Sequence, residues 1–334
     1  MRILFIGAMP FFCACLLPRE SPGWYSFEPG RIGHTAIVFA GKMWIIGGNS
    51  GDVWYTSDGD NWTEALHKAP WGNRMHHTSV VFDNKMWVIG GQDRDKNWHS
   101  LNDVWCSSDG TNWKQVTHSA KWAPRHYHTS VVFDNKMWVI GGSYSPTDDG
   151  CYDDVWYSTD GSKWIRAGKN TPWLYRSQHT TIVFDSKMWV IGGRIRDESF
   201  RNVNYHPYSP DGETDVWYSG DGVNWKQANF APWNQRLGHT AVVYDNKIWV
   251  MGGYNWTYQN DVWYSKDGMD WMKATDEADW NSRSHLTCVV FNDKMWVYGG
   301  CGERMSYNDV RYSSDGANWT FVNNAPWPIN FPKQ

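Results

Sequence analysis

Arginine, histidine and threonine recur together at one spacing along this chain. Arg31, Arg74, Arg125, Arg176, Arg236 and Arg283 each precede by three residues a second ring of positions: His34, His77, His128, His179, His239 and Leu286, the last with His285 one place earlier. A guanidinium is a planar fork of donors suited to carboxylates, phosphates and acidic or sulfated sugars. The six arginines are therefore candidate ligand-binding residues. Asp52, Asp103, Asp154, Asp215, Asp261 and Asp309 recur with the same regularity, so the arginines could equally be spent on framework pairs. The histidines read as structural and bonded to backbone, because a metal needs several donors at about 2.1 Å from one ion. No metal or other cofactor is expected.

The elements that must position these residues repeat as well. Gly47-Gly48, Gly90-Gly91, Gly141-Gly142, Gly192-Gly193, Gly252-Gly253 and Gly299-Gly300 lie 43, 51, 51, 60 and 47 residues apart. The stretch from each pair to the next Asp-Val holds 3, 11, 11, 21, 7 and 8 residues. Without that stretch the first five intervals become 40, 40, 40, 39 and 40, so the framework is constant and one connection is free to vary. Each unit reads as four short strands, as in His77 to Phe82, the turn Asp83-Asn84, Lys85 to Gly91, then Asp103-Val104-Trp105, the turn Ser108-Asp109-Gly110, and a fourth segment from Trp113. A repeat of this period with no helical periodicity predicts sheets packed face to face around an axis.

Gly-Gly closing the second strand, an aromatic opening the fourth and Arg-x-x-His-Thr leading into the first resemble kelch repeats. The resemblance covers nearly the whole chain and implies an all-β, six-bladed kelch-type β-propeller with four antiparallel strands per blade. It places the propeller at 31–334, with repeats starting near 31, 74, 125, 176, 236 and 283. The turn Ser107-x-Asp109-Gly110-x-x-Trp113 resembles the Asp-box of sialidase-type propellers but is one residue short, so it is taken as a turn device. Some kelch-like propellers are enzymes. Copper-radical oxidases similar to galactose oxidase need a cross-linked Cys-Tyr pair, and no cysteine here lies in a matching motif. A sialic acid mutarotase-like site would combine a channel arginine such as Arg176 with Glu198, Glu213 or Glu303 as proton shuttle.

Composition narrows the setting. Of 26 tryptophans, 23 recur in the repeat, where flat side chains fill the wedges between blades. A net charge of -4 gives no general drive toward nucleic acid or anionic membranes. Residues 1–21 read as an export leader, because Ile3 to Leu17 is too short to span a bilayer yet fits a signal-peptide apolar region. Cys15, after Ala14, is the candidate for lipidation, and residues 22–30 form an N-terminal segment. The expected location is secreted or cell envelope, with a lipid anchor the only membrane attachment. Cys106, Cys151, Cys288 and Cys301 do not recur between repeats and read as isolated thiols.

Strand alternation decides which loops share a face. In a blade a-b-c-d, the a-b and c-d turns lie on one side, and the b-c loops and d-to-a connections on the other. The second side carries all the length variation, so recognition is assigned to it. The loop Gln92 to Asn102 includes Trp98; Ser143 to Asp153 is acidic and Tyr-bearing; Arg194 to Thr214 includes Arg194, Arg201, Tyr205 and Tyr208; Tyr254 to Asn260 includes Trp256 and Tyr258. Exposed aromatics with arginines are the types that dominate recognition hot spots. The expected function is a non-enzymatic, monomeric binding propeller whose partner is a protein or a glycan. The alternative is a sugar-processing enzyme using the channel mouth.

Overall fold

The computed structural model describes residues 30–144, 150–168, 171–173, 175–196 and 214–326, and among them every regular element is a β-strand. They form six four-stranded antiparallel blades, each built from its own repeat. Blade 1 takes Thr35–Phe39 (a), Lys42–Ile46 (b), Val53–Thr56 (c) and Trp62–Leu66 (d), and the later blades repeat this order. The a strands touch in the order of the chain, and the last, Thr287–Phe291, meets the first. Among the described residues, each blade, the closing pair included, is built from the four strands of its own repeat. At the closure Asn323 Nδ2 donates to the Asp60 carbonyl at 2.8 Å, and Arg31 N donates to the Tyr307 carbonyl at 3.1 Å.

Alternation sets the packing. The b strand Lys136–Ile140 is buried from Met137 onward, as both faces of each inner strand lie against neighbouring blades. Its Trp138 donates Nε1 to the Phe133 carbonyl at 2.9 Å and lays its ring over the c-d turn of the next blade, at Gly222. The same seating recurs for Trp44 on Gly110, Trp87 on Gly161, Trp189 on Gly268, Trp249 on Gly316, and Trp296 on Gly59 across the closure. The Ser-x-Asp-Gly turn that presents the glycine is self-contained. Ser158 Oγ accepts from Gly161 N at 2.8 Å, Asp160 Oδ1 accepts from Ser162 N and Lys163 N at 2.8 Å each, and Trp164 Nε1 donates to the Gly161 carbonyl at 3.1 Å.

The histidine ring is structural: His77 bonds the backbone at Ile46 and Arg74 and His239 the backbone at Ile191, and Nε2 also meets a side chain. Nε2 of His77, His128, His179 and His239 lies 2.9 to 3.2 Å from Oγ1 of the threonine that opens the preceding blade's a strand. Burial, and next the neighbouring arginine, push His34, His77 and His239 down to about 3 and hold His128 and His179 well below the usual histidine value of 6.5. These rings stay neutral when folded and take up protons near 6.5 when unfolded. Their contribution is present in full above pH 6.5 and is lost progressively as pH falls toward 3.

Two outcomes are expected. A Cβ at Gly161 would lie 2.1 Å from the Trp87 ring, whereas one at Gly41 meets nothing within 4 Å. Gly161→Ala should cost roughly 2–4 kcal/mol and Gly41→Ala about 1, measured by denaturant unfolding. The melting temperature should fall steadily between pH 7 and pH 5. A His179→Leu variant, copying Leu286, should melt lower at pH 7 but show a flatter pH dependence.

Candidate functional site

The variable loops stand on a rigid base. In all six blades the arginine before strand a places NH1 and NH2 on the two oxygens of its own blade's aspartate, at 2.5 to 3.0 Å. NH1 also donates to the first glycine of the Gly-Gly pair, as in Arg125 to the Gly141 carbonyl at 2.8 Å. The aspartate's Oδ2 receives the indole N–H of the c-strand tryptophan, as in Trp156 to Asp154 at 2.7 Å. All six arginines are at most 2% exposed. Burial alone would raise the carboxyls of Asp103, Asp154, Asp261 and Asp309, but the arginine forks outweigh it and hold them below the ordinary aspartate value.

Of the two readings of the arginines, the geometry carries the framework pairs. Arg31, Arg74, Arg125, Arg176, Arg236 and Arg283 aim their forks at framework aspartates, and the faces of Arg125 and Arg283 are stacked on Tyr152 at 4.3 Å and Tyr307 at 4.0 Å. The channel-arginine half of a mutarotase-like pair is bonded too, since Arg176 holds Asp215 and the Gly192 carbonyl. Glu303 is exposed, and Glu198 and Glu213 lie outside the described residues. Among the described residues no group of three or more His, Cys, Asp or Glu side chains could hold a metal ion.

The aromatic loop residues fall on one face. In blade 2 the b and c strands run on as a hairpin, Lys85–Asp93 with His99–Ser107, whose tip is Asn97-Trp98. In blade 5 a smaller hairpin pairs Tyr254 with Tyr258 and carries Trp256 at its tip. Both tryptophans hold left-handed backbone, φ 59° and 55°, where glycine or asparagine is the ordinary occupant. Trp256 is 58% exposed. Trp98 and Tyr258 are half-buried and pack against an apolar cluster of Ile32, Met75 and Cys301. Arg194 opens a short strand paired with Tyr175–Ser177 at the base of the blade 4 loop. Arg201, Tyr205, Tyr208 and Cys15 lie outside the described residues. Cys106, Cys151 and Cys288 are not in disulfides, whereas Cys301 is disulfide-bonded, against the expectation of an isolated thiol.

One group was missed. The position just before each ring histidine, or before Leu286 in the sixth repeat, is Gly33, His76, Tyr127, Gln178, Gly238 or His285; it takes positive φ in every blade and faces the axis. Backbone bonds link these positions around the channel, His76 N to Gly33 O through His285 N to Gly238 O, at 2.7 to 3.1 Å. Tyr127 Oη lies 3.0 Å from His76 Nε2, and His285 Nε2 lies 3.1 Å from Gln178 Oε1, so the side chains close the channel mouth with polar contacts. Gly33 and Gly238 make room, since a Cβ there would come within 3.1 Å of His76 and 3.0 Å of His285. Burial, then His285, His126 and His77, keep the His76 imidazole well below its usual value. Only the irregularity of this position, beside a histidine that recurs in five of the six repeats, signalled it in the sequence.

The arrangement has relatives. The KLHDC2/KLHL20/DRC7 Kelch-repeats domain matches residues 25–193, and the Kelch motif matches residues 235–264. The chain belongs to the kelch-repeat family. It is 29% identical over 153 residues to leucine-zipper-like transcriptional regulator 1 homolog of Drosophila melanogaster, covering 43% of this chain and 14% of that protein. It is 32% identical over 139 residues to Kelch domain-containing protein 1 of Mus musculus, covering 39% of this chain and 30% of that protein. Alpha-scruin of Limulus polyphemus is 26% identical over 137 residues, 39% of this chain and 13% of that protein. The matches span less than a third of the length of these curated relatives. The solved structure of YjhT superposes with a TM-score of 0.70 at 16% identity, covering 89% of this chain and 98% of that one, a likeness of fold.

If the arginines are clamps, Arg125→Ala should destabilise the propeller by about 3–5 kcal/mol, because a buried carboxylate is left unpaired. Arg125→Lys should not restore it, because an ammonium cannot make the two-pronged bond. Unfolding curves of the two variants that match wild type would show the arginine to be dispensable to the frame.

Proposed function

We propose that this kelch propeller is a protein-interaction module whose partner docks on the b-c loop face, with Trp98, Arg194, Trp256 and Tyr258 as contacts. The supporting observation is the pair of hairpin tips on blades 2 and 5, which stand on opposite sides of a six-bladed ring. Each holds a tryptophan in a backbone conformation that costs a bulky residue roughly 1–3 kcal/mol, and such strain is characteristic of recognition sites. Kelch-repeat relatives from several animals support the interaction reading. The apolar stretch Ile3 to Leu17 supports an exported chain, with Cys15 as its proposed lipid attachment point. Arg201, Tyr205 and Tyr208 belong to the same proposed face by their place in the blade 4 loop.

The test is affinity capture from cell-envelope extract with the wild-type propeller, a Trp98→Ser/Trp256→Ser variant, and a Lys136→Ser/Lys187→Ser variant on the opposite face. The tip variant should lose its partner, with affinity weakened by ~2 kcal/mol or about thirtyfold, while the opposite-face variant keeps it. A partner kept by the tip variant or lost by the opposite-face variant would overturn the assignment. Binding to immobilised glycans with no captured protein would replace the protein partner with a glycan.

A further inference from the structure

Strand d is the outer edge of each blade, and an edge strand offers its backbone to any extended segment that can lie against it. Proteins guard such edges by keeping them very short or by placing a charged side chain on them. Five of the six blades do one or both. Blades 3 and 4 have two-residue d strands, Ile165–Arg166 and Lys226–Gln227, and blades 1, 2 and 5 carry Glu64, Lys114 and Lys273 on theirs. The blade 6 strand, Thr320–Asn324, has five residues, Thr-Phe-Val-Asn-Asn, and no charge. A register shift between strands c and d is common to blades 1, 2, 5 and 6, so it does not set this edge apart.

The difference comes from an exchange of residue types across the last two strands. Opposite the c-strand tryptophan, blades 1 to 5 place Glu64, Gln115, Arg166, Gln227 and Lys273. In blade 5 this sets Lys273 Nζ 4.7 Å from the Trp263 ring, with the aromatic inside and the cation on the edge. Blade 6 reverses them. Arg311 stands on strand c, bonded to Asp309 at 2.8 Å, and Phe321 stands opposite it on the edge, its ring 5.3 Å from the guanidinium. Phe321 is 49% exposed, and Thr320 and Asn324 beside it are exposed too. This edge is therefore aromatic, uncharged and open where its five counterparts are polar.

We propose that a second copy of this chain covers it, the two Thr320–Asn324 strands pairing antiparallel about a two-fold axis. The charge pattern selects this occupant. An uncharged edge suits a strand that brings no charge of its own, and among the six d strands only Thr320–Asn324 meets that condition. Centring the pair on Val322 sets each Phe321 opposite Asn323 of the second copy, a contact with no like charges in it. Such a contact is self-complementary and closes at two copies. Strand d runs from the turn face to the loop face, so antiparallel pairing points the two loop faces in opposite directions. The dimer thus holds two loop-face partners apart, and its formation does not depend on what that face binds. A contact built on five residues is small, so association belongs in the micromolar range.

Sedimentation equilibrium of the full chain tests this, with hydrogen exchange on the same samples. Wild type should pass from the monomer mass to twice that mass as its concentration rises through the micromolar range, and the amides of Thr320 to Asn324 should gain protection in step. Phe321→Glu copies the blade 1 residue, gives Arg311 a carboxylate neighbour and should weaken association about tenfold or more. Met272→Glu, an equivalent change on the blade 5 edge, should leave association as in wild type. A wild type that stays monomeric throughout would overturn the pairing, as would a folded Phe321→Glu protein that still dimerises or a dimer lost on Met272→Glu. If Phe321→Glu does not fold, the wild-type series and the place of its exchange protection decide alone.

Discussion

Each arginine ahead of an a strand ties together the two ends of a loop that can have any length. Its fork holds the aspartate where strand c begins, and the same guanidinium holds the glycine carbonyl where strand b ends. Its own backbone carbonyl accepts the second glycine's N–H from the preceding blade, as Arg125 does from Gly91 at 2.8 Å. One residue therefore closes a loop base and joins two blades. The b-c connection can run from 3 to 21 residues while the rest of the repeat stays at about 40, because the clamp sits beneath it. Loop-closure entropy rises only slowly with length, so a fixed base is the main requirement a long insertion must meet.

The clamp has a cost that the surrounding residues offset. A buried ion pair is worth little unless both partners are fully hydrogen-bonded. Here the carboxylate takes two arginine N–H groups and, in blades 1 to 5, an indole N–H; NH1 adds a glycine carbonyl, and in Arg125 and Arg283 Nε donates as well, to the Ala123 and Asn281 carbonyls. The recurrent c-strand tryptophan is therefore a hydrogen-bond donor as well as a packing surface. Blade 6 shows the donor requirement directly, because its substitute is Arg311, whose Nε supplies the bond to Asp309 in place of the indole.

Blade number, strand order and the division into a uniform and a variable face were legible because they follow from spacing alone. The arginine–aspartate pairing was legible as one of two readings. Settling it needed the side-chain reach across a blade, which spacing does not contain. The axial group of His76, Tyr127, Gln178 and His285 was hidden for the opposite reason. Its residue type changes from blade to blade, and a repeat search keeps what recurs and discards what varies. The loop tryptophans were found by type, whereas their left-handed backbone, which distinguishes Trp98 and Trp256 from packing tryptophans, exists only in three dimensions.

The central claim is that the frame beneath the loops is independent of the loops it presents. The most direct measurement replaces the blade 5 stretch Tyr254 to Asn260 with the three-residue Asn-Ser-Gly connection of blade 1, then follows unfolding and partner capture together. An independent frame predicts a cooperative propeller melting within a few degrees of wild type, without the partner. Collapse of the fold, or a shortened propeller that still holds its partner, would contradict it.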